Sequence, residues 1–307
     1  TSRRQRQMCI RDSLFYNGKR TYTRLLMKAG LIEEREESLE EKVLMRAYPT
    51  LLSLDSPHWI SYLKENLKAP QRPTTILDRE YAAMLYHTLL SKDLEALGII
   101  SPEALILSLS HWHPFIKELE AFLTMQENAL SFLPQSPGVL YPCALEVYCH
   151  YTRNQIFAAL GYDHPSSIRE GVKFMTPEKS FAVTHPTDVF LVTLNKSDRD
   201  FSETTRYEDY SIDRMTFHWQ SQSTTTPHSK TGQRYERLCR EKEKAGYILL
   251  FVRENKKDAY GGTQSYTFLG RVSIERLQGS QPMTAILKLA LPLSAGLLTE
   301  TDASGVL

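Results

Sequence analysis

Residues 247–253 read YILLFVR, residues 266–277 read YTFLGRVSIERL and residues 284–291 read TAILKLAL. With 189–194 (VFLVTL) and 215–222 (MTFHWQSQ), they are rich in β-branched and aromatic residues and are separated by polar or Gly-containing segments. That is the signature of strands. No 10–15-residue helical pattern separates them regularly, so the spacing predicts a mostly antiparallel sheet or small barrel rather than a βαβ sheet.

Upstream the period changes. From about Ser13 to Gly161 apolar residues recur at helical spacing,. Helices are expected over 21–30, 33–47 and 56–68, from Asp78 as a cap, from Ser101-Pro102, and over 115–132. Ser56-Pro57 and Ser101-Pro102 are cap-then-proline starts,. Thr152 followed by Gln155 reads as a capping box, and Gly161 as its helix's stop,. A further short helix over 144–151 would pair with it as a helix-turn-helix-like unit or an ordinary αα-hairpin. The fold class is therefore α+β: an all-helical domain over 13–161, then a β-barrel-like domain over 165–298, with 299–307 as a frayed tail. Residues 1–12 (TSRRQRQMCIRD) read as the translation of a sequencing adapter, and the missing initiator Met points to a fragment,.

Composition narrows the function classes. The chain has 307 residues, 41% hydrophobic and 24% charged, with net charge +1. That is a globular composition without a global pull toward polyanions. The four cysteines form no C-x-x-C pair, so zinc spacing is absent and neither metal nor cofactor is expected. A reducing, cytoplasmic setting fits that cysteine usage. No apolar run approaches the ~18 residues of a membrane span. No phosphate-cradling glycine loop, G-x-S-x-G or H-E-x-x-H motif occurs, so the chain is not expected to be an enzyme. Glu254-x-Lys256 after a strand resembles half of a metal-dependent nuclease site, which would need Asp209 or Asp213 beside it.

The candidate site is a reader of planar, polar ligands. Phe217-His218-Trp219-Gln220-Ser221-Gln222-Ser223 runs on to Thr231-Gly232-Gln233-Arg234-Tyr235 and puts rings, amides and hydroxyls close together. Between 224 and 276 the balance tilts basic. Trp219 and Tyr266 are expected to stack on a base, and His218, Gln220 and Gln222 to read its edge. Lys230, Arg234, Arg253 and Arg271 are expected to hold phosphates. Strand alternation complicates this: Phe217, Trp219 and Ser221 share one face, His218, Gln220 and Gln222 the other. The alternative is that Phe217 and Trp219 are core and the polar face is merely solvated.

The span from about Leu145 to Leu298 resembles the C-terminal domain of unknown function in bacterial proteins that fuse a phospholipase-D-type nuclease to a DEAD/DEAH-type helicase. The resemblance rests on Tyr151-Thr152-Arg153, Leu160-Gly161, Arg169-Glu170-Gly171-Val172, Leu194-Asn195-Lys196, Thr204-Thr205 and Tyr207-Glu208-Asp209-Tyr210. It continues through 217–222, 231–235, Leu249-Leu250-Phe251-Val252-Arg253, Tyr266-Thr267-Phe268-Leu269-Gly270, Ser280 and Pro282-Met283. The helical part resembles the linker that follows the helicase. This implies a target-recognition domain of SRA- or PUA-like fold in a modification-dependent restriction or defence protein. Its partners would be DNA, with modified cytosine as a candidate target, the helicase and nuclease domains of the same parent, and a second copy in a homodimer. A protein-interaction module docked on the helicase motor is the alternative.

Overall fold

The computed structural model describes residues 22–51, 53–89, 91–112, 115–130, 133–169, 171–195, 209–257 and 262–293. The adapter-like residues 1–12, the tail 299–307, and Glu170, Lys196, Thr204, Thr205, Tyr207 and Glu208 lie outside them. The chain divides into two compact units, Thr1–Pro134 with His150–Ala159, and Gln135–Cys149 with Leu160–Leu307. Neither unit is a single continuous stretch.

The first unit is helical. Its helices are α1 (Tyr22–Lys28), α2 (Leu39–Leu51), α3 (Pro57–Lys68), α4 (Ile76–Thr88), α5 (Ser91–Ala96), α6 (Pro102–Ser108), α7 (Phe115–Ala129) and α8 (Arg153–Ala159), with the two-residue strand β1 (His150–Tyr151) before the last. Local chemistry sets their starts. Ser101 caps α6 by accepting from the Ala104 N–H,. Thr75, not Asp78, is the N-cap of α4; Asp78 is the reciprocal half of its capping box,. The Thr152–Gln155 box at α8 forms as its spacing predicts, with N···O distances of 2.8 and 3.3 Å. Trp59, Ile60 and Leu63 of α3, Met84 of α4, Leu105 of α6, Leu123 of α7 and Ile156 and Phe157 of α8 are buried.

The second unit is built on a sheet of β2 (Val172–Met175), β3 (Thr187–Thr193), β4 (Tyr210–Ser211), β5 (Thr216–Gln220), β6 (Tyr247–Arg253), β7 (Tyr266–Gly279) and β8 (Met283–Leu289), in the order β2-β3-β6-β7-β8-β5-β4. All neighbours on this path pair antiparallel except β3 and β6, which are parallel. The α+β class and the mostly antiparallel sheet are as expected. The sheet is open rather than a barrel: β2 ends one side and the two-residue β4 the other.

The parallel pair explains the long helix among the described residues of this unit. Parallel neighbours need a crossover, and α9 (Lys230–Glu241) supplies it. The 231–235 motif therefore lies inside a helix. Tyr235 and Leu238 of α9 pack into a core formed with Phe190 and Val192 of β3, Phe217 and Trp219 of β5, Ile248 and Leu250 of β6, Ile274 of β7 and Leu287 of β8. The expected helix over 144–151 is absent. Tyr148 sits at φ 74°, and its N–H donates to Phe268 O at 2.7 Å while Cys149 O accepts from the Phe268 N–H at 2.9 Å. These backbone groups pair with β7 instead of with one another, so no helix-turn-helix pair forms.

The Ser/Thr-rich run before α9 is bonded within itself and to the start of β8. Ser229 Oγ accepts from the Gly232 N–H at 3.0 Å and donates to Thr226 O at 2.7 Å. Ser221 Oγ accepts from the Met283 N–H at 2.9 Å, and Thr225 O accepts from the Gln281 N–H at 3.0 Å. The first turn of α9 passes so close to this loop that a Cβ on Gly232 would lie 1.9 Å from Thr226 O. Replacing Gly232 by Ala should therefore destabilise the chain by about 3 kcal/mol or more, through forced overpacking against backbone. Chemical unfolding of Gly232→Ala beside Gly232→Ser and wild type checks this; a midpoint for Ala within error of wild type would contradict the close approach.

Candidate nucleic-acid interface

Strand β5 is regular. It pairs with β8 over Thr216↔Lys288, Phe217↔Leu287, His218↔Ile286, Trp219↔Ala285 and Gln220↔Thr284 without a shift in register. Its side chains therefore alternate between faces. Phe217 and Trp219 are buried, while Thr216, His218 and Gln220 are half-buried. No bulge re-aims the aromatics toward the amides, so the motif serves two faces.

Trp219 belongs wholly to the inner face. It is 3% exposed, stacks on Phe190 with ring centroids 4.3 Å apart, and meets the Tyr235 ring edge-on at 5.3 Å. No ring face remains for a base. Tyr266 is equally covered: it is buried, and the Arg253 guanidinium lies 4.4 Å from its ring centroid. The stacking roles expected of both residues do not fit these positions, because each ring already has partners inside the unit.

Three of the four expected phosphate contacts are also engaged. Arg253 is buried, donating from Nε to Thr193 Oγ1 at 2.9 Å and from Nη1 to Gln264 O at 3.2 Å. Arg271 pairs with Glu243 and lies 5.8 Å from the Tyr247 ring centroid. Arg234 donates from Nη2 and Nε to Asp188 Oδ2 at 2.7 and 3.0 Å, and from Nη1 to Ala245 O at 2.7 Å. Lys230, the first residue of α9, is exposed. Burial pushes the Asp188 carboxyl up to about 6, outweighing the pull of the Arg234 guanidinium,.

What the structure brings together is the outer face of β4, β5, β8 and β7. Register aligns Tyr210, His218, Ile286 and Arg276 in one row across the four strands. Gln220, Thr284 and Gln278 form a second row, and Thr216, Lys288 and Ser273 a third. A bulge in β7 between Ile274 and Arg276 keeps Arg276 and Gln278 on this face,. Tyr210 and His218 stack at 4.6 Å with 14° between their planes. Gln222 lies just beyond β5 and is exposed. Arg276, Gln278, Thr284 and Lys288 escaped the sequence reading because their face depends on cross-strand register, which no local pattern encodes.

Neither Asp209 nor Asp213 lies beside the nuclease-like half-site. Glu254 follows β6, whereas Asp209 and Asp213 flank β4, with β7, β8 and β5 between. Asp209 Oδ1 accepts from the Gln220 N–H at 2.9 Å, and Asp213 Oδ1 from the Met215 N–H at 2.7 Å.

A protein-family profile described as a domain of unknown function, DUF3427, matches residues 145–300, just over half of the chain. The chain belongs to the DUF3427 family. The matched DUF3427 region contains every strand of the sheet and the whole of α9. None of the curated proteins compared matches the sequence. Among solved structures, the crystal structure of SUVH9 is similar at 10% identity and a TM-score of 0.32, over 78% of this chain and 42% of that one. The chain thus spans less than half the length of that protein. No helix among the described residues is long and apolar enough to cross a membrane.

The Asp188–Arg234 pair yields a prediction in two parts. Truncating either partner to Ala should cost about 3–5 kcal/mol, because the other charge is left buried and alone. The native state holds the Asp188 proton up to pH about 6, whereas the unfolded chain loses it near 4. This group's contribution to stability is therefore full below pH ~4 and is lost as pH rises through ~6. Denaturant titrations between pH 4 and 7 should show that slope in wild type and a flatter one in Asp188→Asn; an unchanged slope would count against it.

Proposed function

We propose that the DUF3427 unit is a DNA target-recognition module, acting for a helicase–nuclease restriction or defence protein and not itself catalytic. The observation that carries the reading is the outer face of β5 and its neighbours. It sets a stacked Tyr210–His218 pair beside the row of Gln220, Thr284 and Gln278. Rings offer π-faces to an exposed base, and side-chain amides supply the paired donor and acceptor that read a base edge. Arg276 and Lys288 lie on the same face and Lys230 is exposed, so phosphates have cationic partners,. On this reading Trp219 holds the strand that displays His218 and Gln220, and touches no base. Modified cytosine is the target to try first.

The engagement of Arg234 and Arg253 inside the unit favours a second reading. It removes two of the expected phosphate contacts, and the half-buried Ile286 sits in the middle of the face. Such a surface also suits a protein partner, namely the helicase motor of the same parent.

Electrophoretic shift of the whole chain on methylated and unmethylated duplexes at low salt separates the two. Recognition predicts a shift on at least one duplex. His218→Ala combined with Gln220→Ala should weaken it at least about tenfold, the loss of one stacking or edge contact, with the unfolding midpoint unchanged. Failure to bind either duplex would rule the DNA reading out in favour of the docking surface.

A further inference from the structure

At one end of the outer face, where β7 runs on past the start of β6, a cleft of about 420 Å³ opens between the C-terminal turn of α9 and strands β7 and β8. Three cations from three elements line it: Lys242 after α9, Arg271 of β7 and Lys288 of β8. Ser273 lines it too, so the row Thr216–Lys288–Ser273 runs from the outer face into the cleft.

Two of the three cations are aimed by groups of the protein itself. Lys242 ends α9 at φ 53° and ψ −130°, a backbone conformation that is strained for a non-glycine residue. Its ammonium reaches across the cleft to Ile274 O and lies 3.3 Å from Glu275 Oε1. The Arg271 guanidinium is held over Tyr247 and paired with Glu243. The counterions face solvent, the side chains of Glu243 and Glu275 being 60% and 46% exposed, although Glu275 Oε1 also accepts from Ser273 Oγ at 2.9 Å. Exposed pairs of this kind are cheaply exchanged.

We propose that this cleft is a phosphate seat. A phosphate accepts hydrogen bonds from several directions at once, which suits cations arriving from three elements; in the seat it would replace the Glu275 carboxylate as acceptor for Lys242 and the Ser273 hydroxyl,. Its source is a backbone phosphate of the DNA strand lying on the outer face, so the proposal rests on the recognition reading above; a free nucleotide carries the same chemistry.

Fluorescence anisotropy of a labelled duplex, with salt titrations of the whole chain, tests it. Lys288→Met should weaken binding several-fold and lower the slope of log Kd against log salt by about 1. Glu243→Gln, which removes the competing carboxylate, should tighten binding at low salt, a gain that misfolding cannot mimic. If both variants bind as wild type does while the His218/Gln220 double variant still weakens binding, the seat is wrong and the face reading stands. Calorimetric titration with deoxycytidine monophosphate is the second arm. Binding there that Lys288→Met abolishes, with no duplex bound, places a free nucleotide in the seat and removes the face reading. Binding of neither ligand overturns both.

Discussion

The buried contact between Asp188 and Arg234 ties together the crossover on which the sheet depends. Asp188 lies on β3, Arg234 on α9, and Ala245 O in the turn that leads into β6. One guanidinium therefore touches the strand, the helix and the return. The same corner is closed by the Tyr247 N–H donating to Pro186 O at 2.9 Å. It is closed so tightly that a Cβ on Gly246, at φ 135°, would lie 2.2 Å from Pro186 O and 2.8 Å from Arg234 Nη2. A parallel pair cannot be joined by a tight turn. Its register, Thr187↔Tyr247 through Thr193↔Arg253, is pinned at this end by the corner and at the other by Arg253 bonded to Thr193.

Fixing α9 against β3 fixes the aromatic cluster beneath it. Tyr235 meets both Phe190 and Trp219 edge-on while those two rings stack, so helix, β3 and β5 share one contact although β5 lies several strands away. Such aromatic pairs add about 0.5–1.5 kcal/mol each beyond the area they bury. The residues that look most like ligand readers in the sequence, Trp219, Arg234 and Tyr235, are thus the ones that close the fold. Gly232 belongs with them, since only a hydrogen in place of a side chain lets α9 start against the Thr226 loop.

Much of this was legible in the sequence. The strand runs at 247–253 and 266–277 were found nearly residue for residue, because β-branched and aromatic runs mark buried strands wherever they lie. Alternation along 216–220 correctly separated Phe217 and Trp219 from His218 and Gln220. Three features were hidden for distinct reasons. Of helix α9 the sequence marks only Arg237 to Lys244, as a short polar helix or an exposed loop; its first half is hidden because it is mostly polar and carries a glycine in its first turn, which lowers its intrinsic helicity. The segment 144–151 has helical spacing, but the Tyr148 N–H and Cys149 O pair with Phe268 and the Val147 N–H with Gln135 O. The outer-face rows depend on pairings such as His218↔Ile286↔Arg276, which join residues far apart in the chain.

Where the cations lie bears on how any DNA would be held. A nearly neutral chain that commits Arg234 and Arg253 to buried internal partners gives up much of the long-range attraction that non-specific binding needs,. What remains on the outer face, Arg276 and Lys288 beside amides and a stacked ring pair, suits short-range reading better than electrostatic capture. On the proposed reading, non-specific affinity would come from the parent's motor and nuclease. The face and its phosphate seat would then discriminate among sites already brought near, where each base contact is worth about 1–3 kcal/mol. Weak binding by the isolated chain with a shallow salt slope would accord with that division of labour, whereas steep salt dependence would need cations that the fold has already engaged.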